Sequence, residues 1–163
     1  MTIFVTNKTN IRYLSGFNGT AGRLLMHGTK GFLLTDARYH LVAKNVLPAG
    51  FRLVDITGGF EKPFQKLLKK LAVKKLGIEE TDVSIALYKK LKKMCGKIKL
   101  VDASEVFLHR RMVKTEKEIA LIAQAQKITD EILKRLKKWL RPGLTENEIG
   151  WRVEVFAREL GAD

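Results

Sequence analysis

A chain of 163 residues with 45% hydrophobic side chains can bury one ordinary core, or one domain and part of another. Its 31 Lys and Arg against 17 Asp and Glu give a formal net charge of +14, while a single cysteine, Cys95, excludes an internal disulfide and fits a reducing cytoplasm. No apolar run approaches the roughly eighteen residues of a membrane span, and the start MTIFVTNKTN lacks the basic-then-apolar layout of a signal peptide.

In chain order, TIFVT (2–6) reads as a short strand. The glycine-rich YLSGFNGTAGRLLM (13–26) follows as a turn between a short helix and a hairpin. RLLMH and FLLT flank GTKG, which predicts that hairpin with Gly28 and Gly31 at its turn. DARYHLVAKNVL predicts a helix capped by Asp36 that stops before Pro48 and Gly50. FRLVDI (51–56) alternates as a strand does. A lysine-rich helix (61–73), a strand (75–79), a helix (82–94) and a strand (97–101) complete the alternation. The implied fold class is α/β, a mixed β-sheet of about six strands flanked by helices.

From Ala103 onward the pattern is helical only. Thr115 with Glu118, and Thr145 with Glu148, each have capping-box spacing, and Pro142-Gly143 separates the two helices. The last helix carries Ile149, Val153, Phe156 and Leu160 on one stripe, with Trp151 and Val155 outside it and Gly161 as its stop. A C-terminal helical hairpin that is apolar on more than one side needs a second layer. The expected organisation is therefore one domain over 1–110 followed by helices over 111–163 that belong to an incomplete second domain or are covered by a partner subunit.

The charge invites nucleic acid. Yet the lysines of KPFQKLLKKLAVKK and YKKLKKMCGKIK alternate with Leu, Ile and Phe at helical spacing, the pattern of a solvated helix face. Gly16, Gly19 and Gly22 have neither P-loop nor dinucleotide spacing. A KH-type GXXG loop would join two helices, whereas a hairpin follows here. His27, His40 and His109 are scattered, and Ser15, Ser84 and Ser104 lack a nucleophile-elbow context. Asp36 and His40, at i and i+4, read as a capping acid and a surface histidine. Asp55 and Asp102 follow strands and suit capping. Cys95 has no second cysteine to complete a zinc set.

Two stretches resemble one family. Asn10, Tyr13, Leu14, Ser15, Gly16 and Phe17, then Gly19-Thr20-Ala21-Gly22, then Leu34, Thr35, Asp36, Arg38 and Tyr39 are similar to the N-terminal domain of the Xaa-Pro peptidases: prolidase, aminopeptidase P and creatinase. Lys114-Thr115 with Glu118-Ile119, and Pro142-Gly143 with Thr145-Glu146, resemble the linker and first two helices of that family's pita-bread catalytic domain. The two matches occur in the family's order.

The resemblance implies hydrolysis of the peptide bond before proline by two divalent metal ions, held by two Asp, one His and two Glu that follow the last helix here. The chain is short at both ends relative to that pattern. It is thus expected to have no metal site, no cofactor and no peptidase activity by itself. The resemblance further implies a role in dimerisation and active-site access, with Tyr13, Phe17, Asn18, Gly19, Thr20 and Arg38 as the candidate surface. Asp36 and Arg38 would form an ion pair tying hairpin to helix. Expected partners are a second copy, by dimerisation or helix-hairpin exchange, or the missing catalytic domain. Proline-containing peptides concern only a full-length enzyme. A standalone interaction domain and a basic nucleic-acid-binding module are the alternatives.

Overall fold

The computed structural model describes residues 1–162, and the chain divides into two compact units, Met1–Arg110 and Arg111–Asp163. The first unit holds a sheet of β1 (Thr2–Val5), β2 (Arg23–His27), β3 (Lys30–Thr35), β4 (Phe51–Asp55), β5 (Lys75–Ile78) and β6 (Lys99–Asp102) in the order β4-β3-β2-β1-β5-β6. β2 runs antiparallel to β1 and β3, while the pairs β1–β5, β5–β6 and β3–β4 are parallel. All strands except β2 therefore point the same way. The segments that follow them, and the glycine loop that precedes β2, gather at one carboxyl edge.

Period-two alternation sends neighbouring side chains to opposite faces of the sheet. Phe4, Leu25, Leu34, Leu76 and Ile78 pack with Phe64, Leu67 and Leu68 of α3 (Glu61–Lys70) and Leu91 of α4 (Ile85–Cys95). Ile3, Val5, Leu24 and Leu33 pack with Ile11 of α1 (Lys8–Ser15), Ala43 of α2 (His40–Val46) and Phe107 of α5 (Ser104–Met112). Central β1 is buried at all four positions because helices cover both faces. The lysines of α3 lie on its exposed side: Lys62, Lys66, Lys69 and Lys70 face solvent while Phe64 and Leu68 are interior.

Several boundaries differ from the sequence expectation. Gly31 is not a turn residue. The hairpin turn is Gly28-Thr29 between the paired His27 and Lys30, and Gly31 sits inside β3 beneath the ring of Phe51, where a Cβ would lie 2.2 Å from that ring. Asp36 caps a single 3₁₀ turn, Ala37–Tyr39, and α2 begins only after it. The lysine-rich helix ends at Lys70; Ala72 then takes φ 48 and Val73 N–H donates to the Leu68 carbonyl at 3.1 Å, closing the helix. α4 starts from Ser84, whose hydroxyl accepts from Leu87 N–H at 3.2 Å.

The second unit contains α6 (Glu116–Trp139) and α7 (Glu146–Glu159). Both predicted capping boxes are present. Glu118 N–H donates to the Thr115 hydroxyl and Thr115 N–H to the Glu118 carboxylate, and Thr145 with Glu148 repeats the pair. Arg135 reaches Glu131 on its own helix and Glu159 at 3.2 Å on α7, and Arg152 lies 4.9 Å from the Trp139 ring centroid. These exposed ion pairs contribute little individually.

Candidate functional site

The parallel strands β3, β4, β5 and β6 deliver Asp36, Asp55, Glu79 and Asp102 to the carboxyl edge, and the glycine loop crosses beside them. α1 ends at Gly16, whose φ of 72 lets its N–H return to the Arg12 carbonyl. Phe17 then turns inward and is 1% exposed. Its ring meets Tyr39 edge-on, centroids 5.6 Å apart, and lies directly under Gly19 and Gly22. A Cβ on Gly19 would fall 2.2 Å from Phe17 Cζ, and one on Gly22 2.6 Å from Cε1. The glycines are spaced as they are so that backbone can lie on an aromatic ring.

The six candidate residues divide accordingly. Phe17 is a core residue rather than part of a surface, because Gly19, Gly22 and Tyr39 seal its ring. Gly19 is half-buried on that ring. Asn18 and Thr20 are exposed, and Thr20 Oγ1 lies 2.6 Å from Tyr39 Oη. Tyr13 is half-buried with its hydroxyl 3.5 Å from the Arg110 carbonyl, at the outer limit of a hydrogen bond. Arg38 is open, with 74% of its side chain exposed, and its guanidinium carbon stands 5.6 Å from the Tyr39 ring centroid.

Arg38 and Asp36 form a two-pronged pair, Nε to Oδ1 at 2.9 Å and Nη2 to Oδ2 at 2.8 Å. That hydrogen bonding holds the Asp36 carboxyl below the usual carboxylate range and raises the Arg38 guanidinium. The pair lies two residues apart and fixes the 3₁₀ turn locally. The contact between this turn and the next strand comes instead from Thr57, whose Oγ1 accepts from Ala37 N–H and donates to Asp55 Oδ1 at 2.6 Å. Asp55 is held low chiefly by that hydroxyl. His40 Nε2 lies 3.3 Å from Asp55 Oδ1, within ion-pair range but not aligned for a hydrogen bond. Asp36 and His40 are therefore not a shared ligand pair. At the end of β6, Asp102 caps α5 by accepting from Ser104 N–H at 2.9 Å.

Sequence reasoning missed the most buried carboxylate. Glu79 follows β5, is 2% exposed, and accepts from Thr6 N–H at 2.6 Å, Asn7 N–H at 2.9 Å and the Asn10 side-chain amide. The connections after β1 and β5 go to opposite faces of the sheet, so a crevice opens between their carboxyl ends. Helix N-termini there attract anions. Here Glu79 occupies that position and joins β5 to the start of α1. Cys95 is interior, and burial pushes its thiol up to about 11, a packing role rather than a nucleophilic one. Among the described residues no group of three or more His, Cys, Asp or Glu converges as a metal site. The residues present therefore do not fit the two-metal donor set.

This architecture has close counterparts. Residues 2–113 match the creatinase/prolidase N-terminal domain. This chain belongs to that family. The uncharacterized peptidase YqhT of Bacillus subtilis is 29% identical over 161 residues, covering 99% of this chain and 45% of that protein. The X-Pro aminopeptidase structure from Thermotoga maritima superposes with a TM-score of 0.89 at 28% identity, covering 99% of this chain and 47% of that one. An Xaa-Pro dipeptidase structure from Bacillus anthracis gives 0.88 at 29% identity, covering 98% and 44%. The creatinase/prolidase chain described here thus spans about half the length of the relatives it matches. No described helix is long and apolar enough to cross a membrane.

Proposed function

We propose that this chain serves as the N-terminal, non-catalytic part of an Xaa-Pro metallo-exopeptidase, contributing a dimer contact and one wall of the route to the active site. The observation that carries this reading is the coverage: nearly all of the chain aligns with the Thermotoga X-Pro aminopeptidase while filling less than half of it. Hydrolysis of the bond before proline, and the two divalent metal ions that would drive it, belong in this reading to the other part of such an enzyme. Asn18, Thr20 and Arg38 are assigned to the route because they are exposed beside the carboxyl edge, and Tyr13 because its half-buried ring ends in a hydroxyl near the Arg110 carbonyl. A reducing cytoplasm suits the single interior thiol. Exposed Ile119, Leu121, Ile122 and Trp151 on α6 and α7 support self-association or burial against a catalytic domain.

The test is a chimera in which residues 1–110 replace the matching part of the Thermotoga enzyme. Xaa-Pro cleavage is expected to persist, and Arg38→Ala to raise KM more than it lowers kcat, the signature of lost substrate positioning. A folded, active chimera indifferent to substitution at Asn18, Thr20 and Arg38 would refute the access role. Sedimentation equilibrium of the chain itself should show concentration-dependent association, and a monomer at every concentration would remove the dimer contact.

A further inference from the structure

Beside the glycine loop, the first unit holds a cleft of about 420 Å³ at the carboxyl edge of the sheet. Its size suits a small organic ligand. Ile56 and Leu87 supply an apolar floor, and Lys8 and Arg23 set two cations against the single carboxylate of Asp82. Asp82 Oδ1 already accepts from the Asn7 side-chain amide at 3.1 Å.

Two groups in the lining lack the partners their burial calls for. Arg23 is half-buried, with its guanidinium carbon 4.7 Å from the centroid of the Phe60 ring. It forms no ion pair and no side-chain hydrogen bond among the described residues. The acid whose field reaches it, Glu61, is engaged by Lys90. A guanidinium stacked by its face keeps its edge N–H groups free for a planar, two-oxygen acceptor. The second group is the Thr6 hydroxyl, which is shielded from solvent and has no hydrogen-bond partner. Buried polar atoms are seldom left so.

We propose that this cleft binds a small carboxylate with an apolar body, its carboxylate held by the Arg23 edge and the Thr6 hydroxyl and its hydrocarbon laid on Ile56 and Leu87. The net single positive charge of the lining and the apolar floor favour such a monoanion over a phosphate. The cleft shares Thr20 with the residues assigned to the access route, but its test needs no peptidase activity.

The experiment is an amide NMR titration of the whole chain with 4-methylpentanoate, inorganic phosphate and isoamylamine. Saturable shifts confined to Thr6, Thr20, Gly22 and Arg23 are expected with the carboxylate at millimolar concentration, and none with the amine. Arg23→Met should weaken binding about tenfold or more, the loss expected for a charge-assisted hydrogen bond. Since Arg23→Met also removes the stack on Phe60, Thr6→Val provides the independent check: the fold should hold and affinity fall severalfold. Absence of saturable shifts, equal response to phosphate, or undiminished binding by a folded Thr6→Val chain would each overturn the proposal.

Discussion

The two units reach order by different means. In the first, both faces of the sheet are covered, and side chains such as Phe4, Leu24, Leu33 and Phe64 lose all contact with solvent. In the second, α6 and α7 start from complete capping boxes, yet neither helix has a fully buried residue. Local signals therefore specify the helices of the second unit as well as those of the first, or better. What they do not supply is the burial from which most helical stability in proteins derives. The difference teaches that correct caps and correct periodicity define an element, while a second layer decides how firmly it is held.

The largest effect that could break this comparison is truncation of a core ring. Phe64→Ala should destabilise the first unit by about 3–5 kcal/mol, because Phe64 is wholly enclosed beside Phe4 and Phe60. Leu121→Ala on exposed α6 should change stability by no more than about 0.5 kcal/mol. Urea unfolding followed by far-UV circular dichroism, with tryptophan fluorescence reporting the second unit through Trp139 and Trp151, measures both. Comparable losses would mean that α6 carries packing equal to that of the sheet.

Next comes the polar link between β5 and α1. Glu79→Ala would leave the half-buried N–H groups of Thr6 and Asn7 without their carboxylate acceptor. An orphaned buried donor costs about 1–3 kcal/mol. The loss should appear in hydrogen exchange as earlier opening of α1, with α6 and α7 unchanged. Unaltered protection at Thr6 and Asn7 would show that water satisfies them instead.

Much of this was legible in the sequence, and the reasons separate by type. The alternation of TIFVT, RLLMH and FLLT, and the Thr-x-x-Glu spacing of both capping boxes, are local and were readable directly. Phe17 sits in a loop rich in exposed residues, and only the folded chain shows that two glycines exist to admit its ring. Glu79 and Glu80 are indistinguishable as neighbours, since their fates depend on whether the chain at Thr6 and Asn7 lies beside one of them. Gly31 was misplaced because a glycine near a turn looks like a turn residue, whereas the contact that requires it is a cross-strand ring. Arg23 and Thr6 gave no signal, because a missing partner is a property of three-dimensional surroundings.

A smaller effect sharpens the view of the second unit. Thr145→Ala should cost about 1 kcal/mol of α7 by removing the hydroxyl that accepts Glu148 N–H. Because no residue of α7 is fully buried, that loss should be read as local fraying, visible in exchange at the first turn of α7 and absent from β1. Spread of the change into the sheet would show that the two units unfold as one.

The smallest expected effect is that of acid, and it touches both units. Asp55 and Asp102 in the first are held low chiefly by the Thr57 and Ser104 hydroxyls, and Glu148 in the second chiefly by the Thr145 backbone N–H. For a carboxyl whose folded pKa lies below its unfolded one, the stabilisation is complete above the ordinary carboxylate range. It is lost as pH falls through that range toward the depressed folded value. All three are solvent-exposed, so each contribution is small and screened by salt. The contrast between units should nonetheless emerge on acidification, since Glu148 protonation removes one of the few supports α7 has, while Asp55 and Asp102 sit at the margin of a buried core. Exchange at the start of α7 should therefore quicken at a higher pH than exchange in β1. The Glu148→Gln variant should show that faster α7 exchange already at neutral pH, with little further change on acidification, and an α7 that loosens only together with β1 would contradict the difference between the two units.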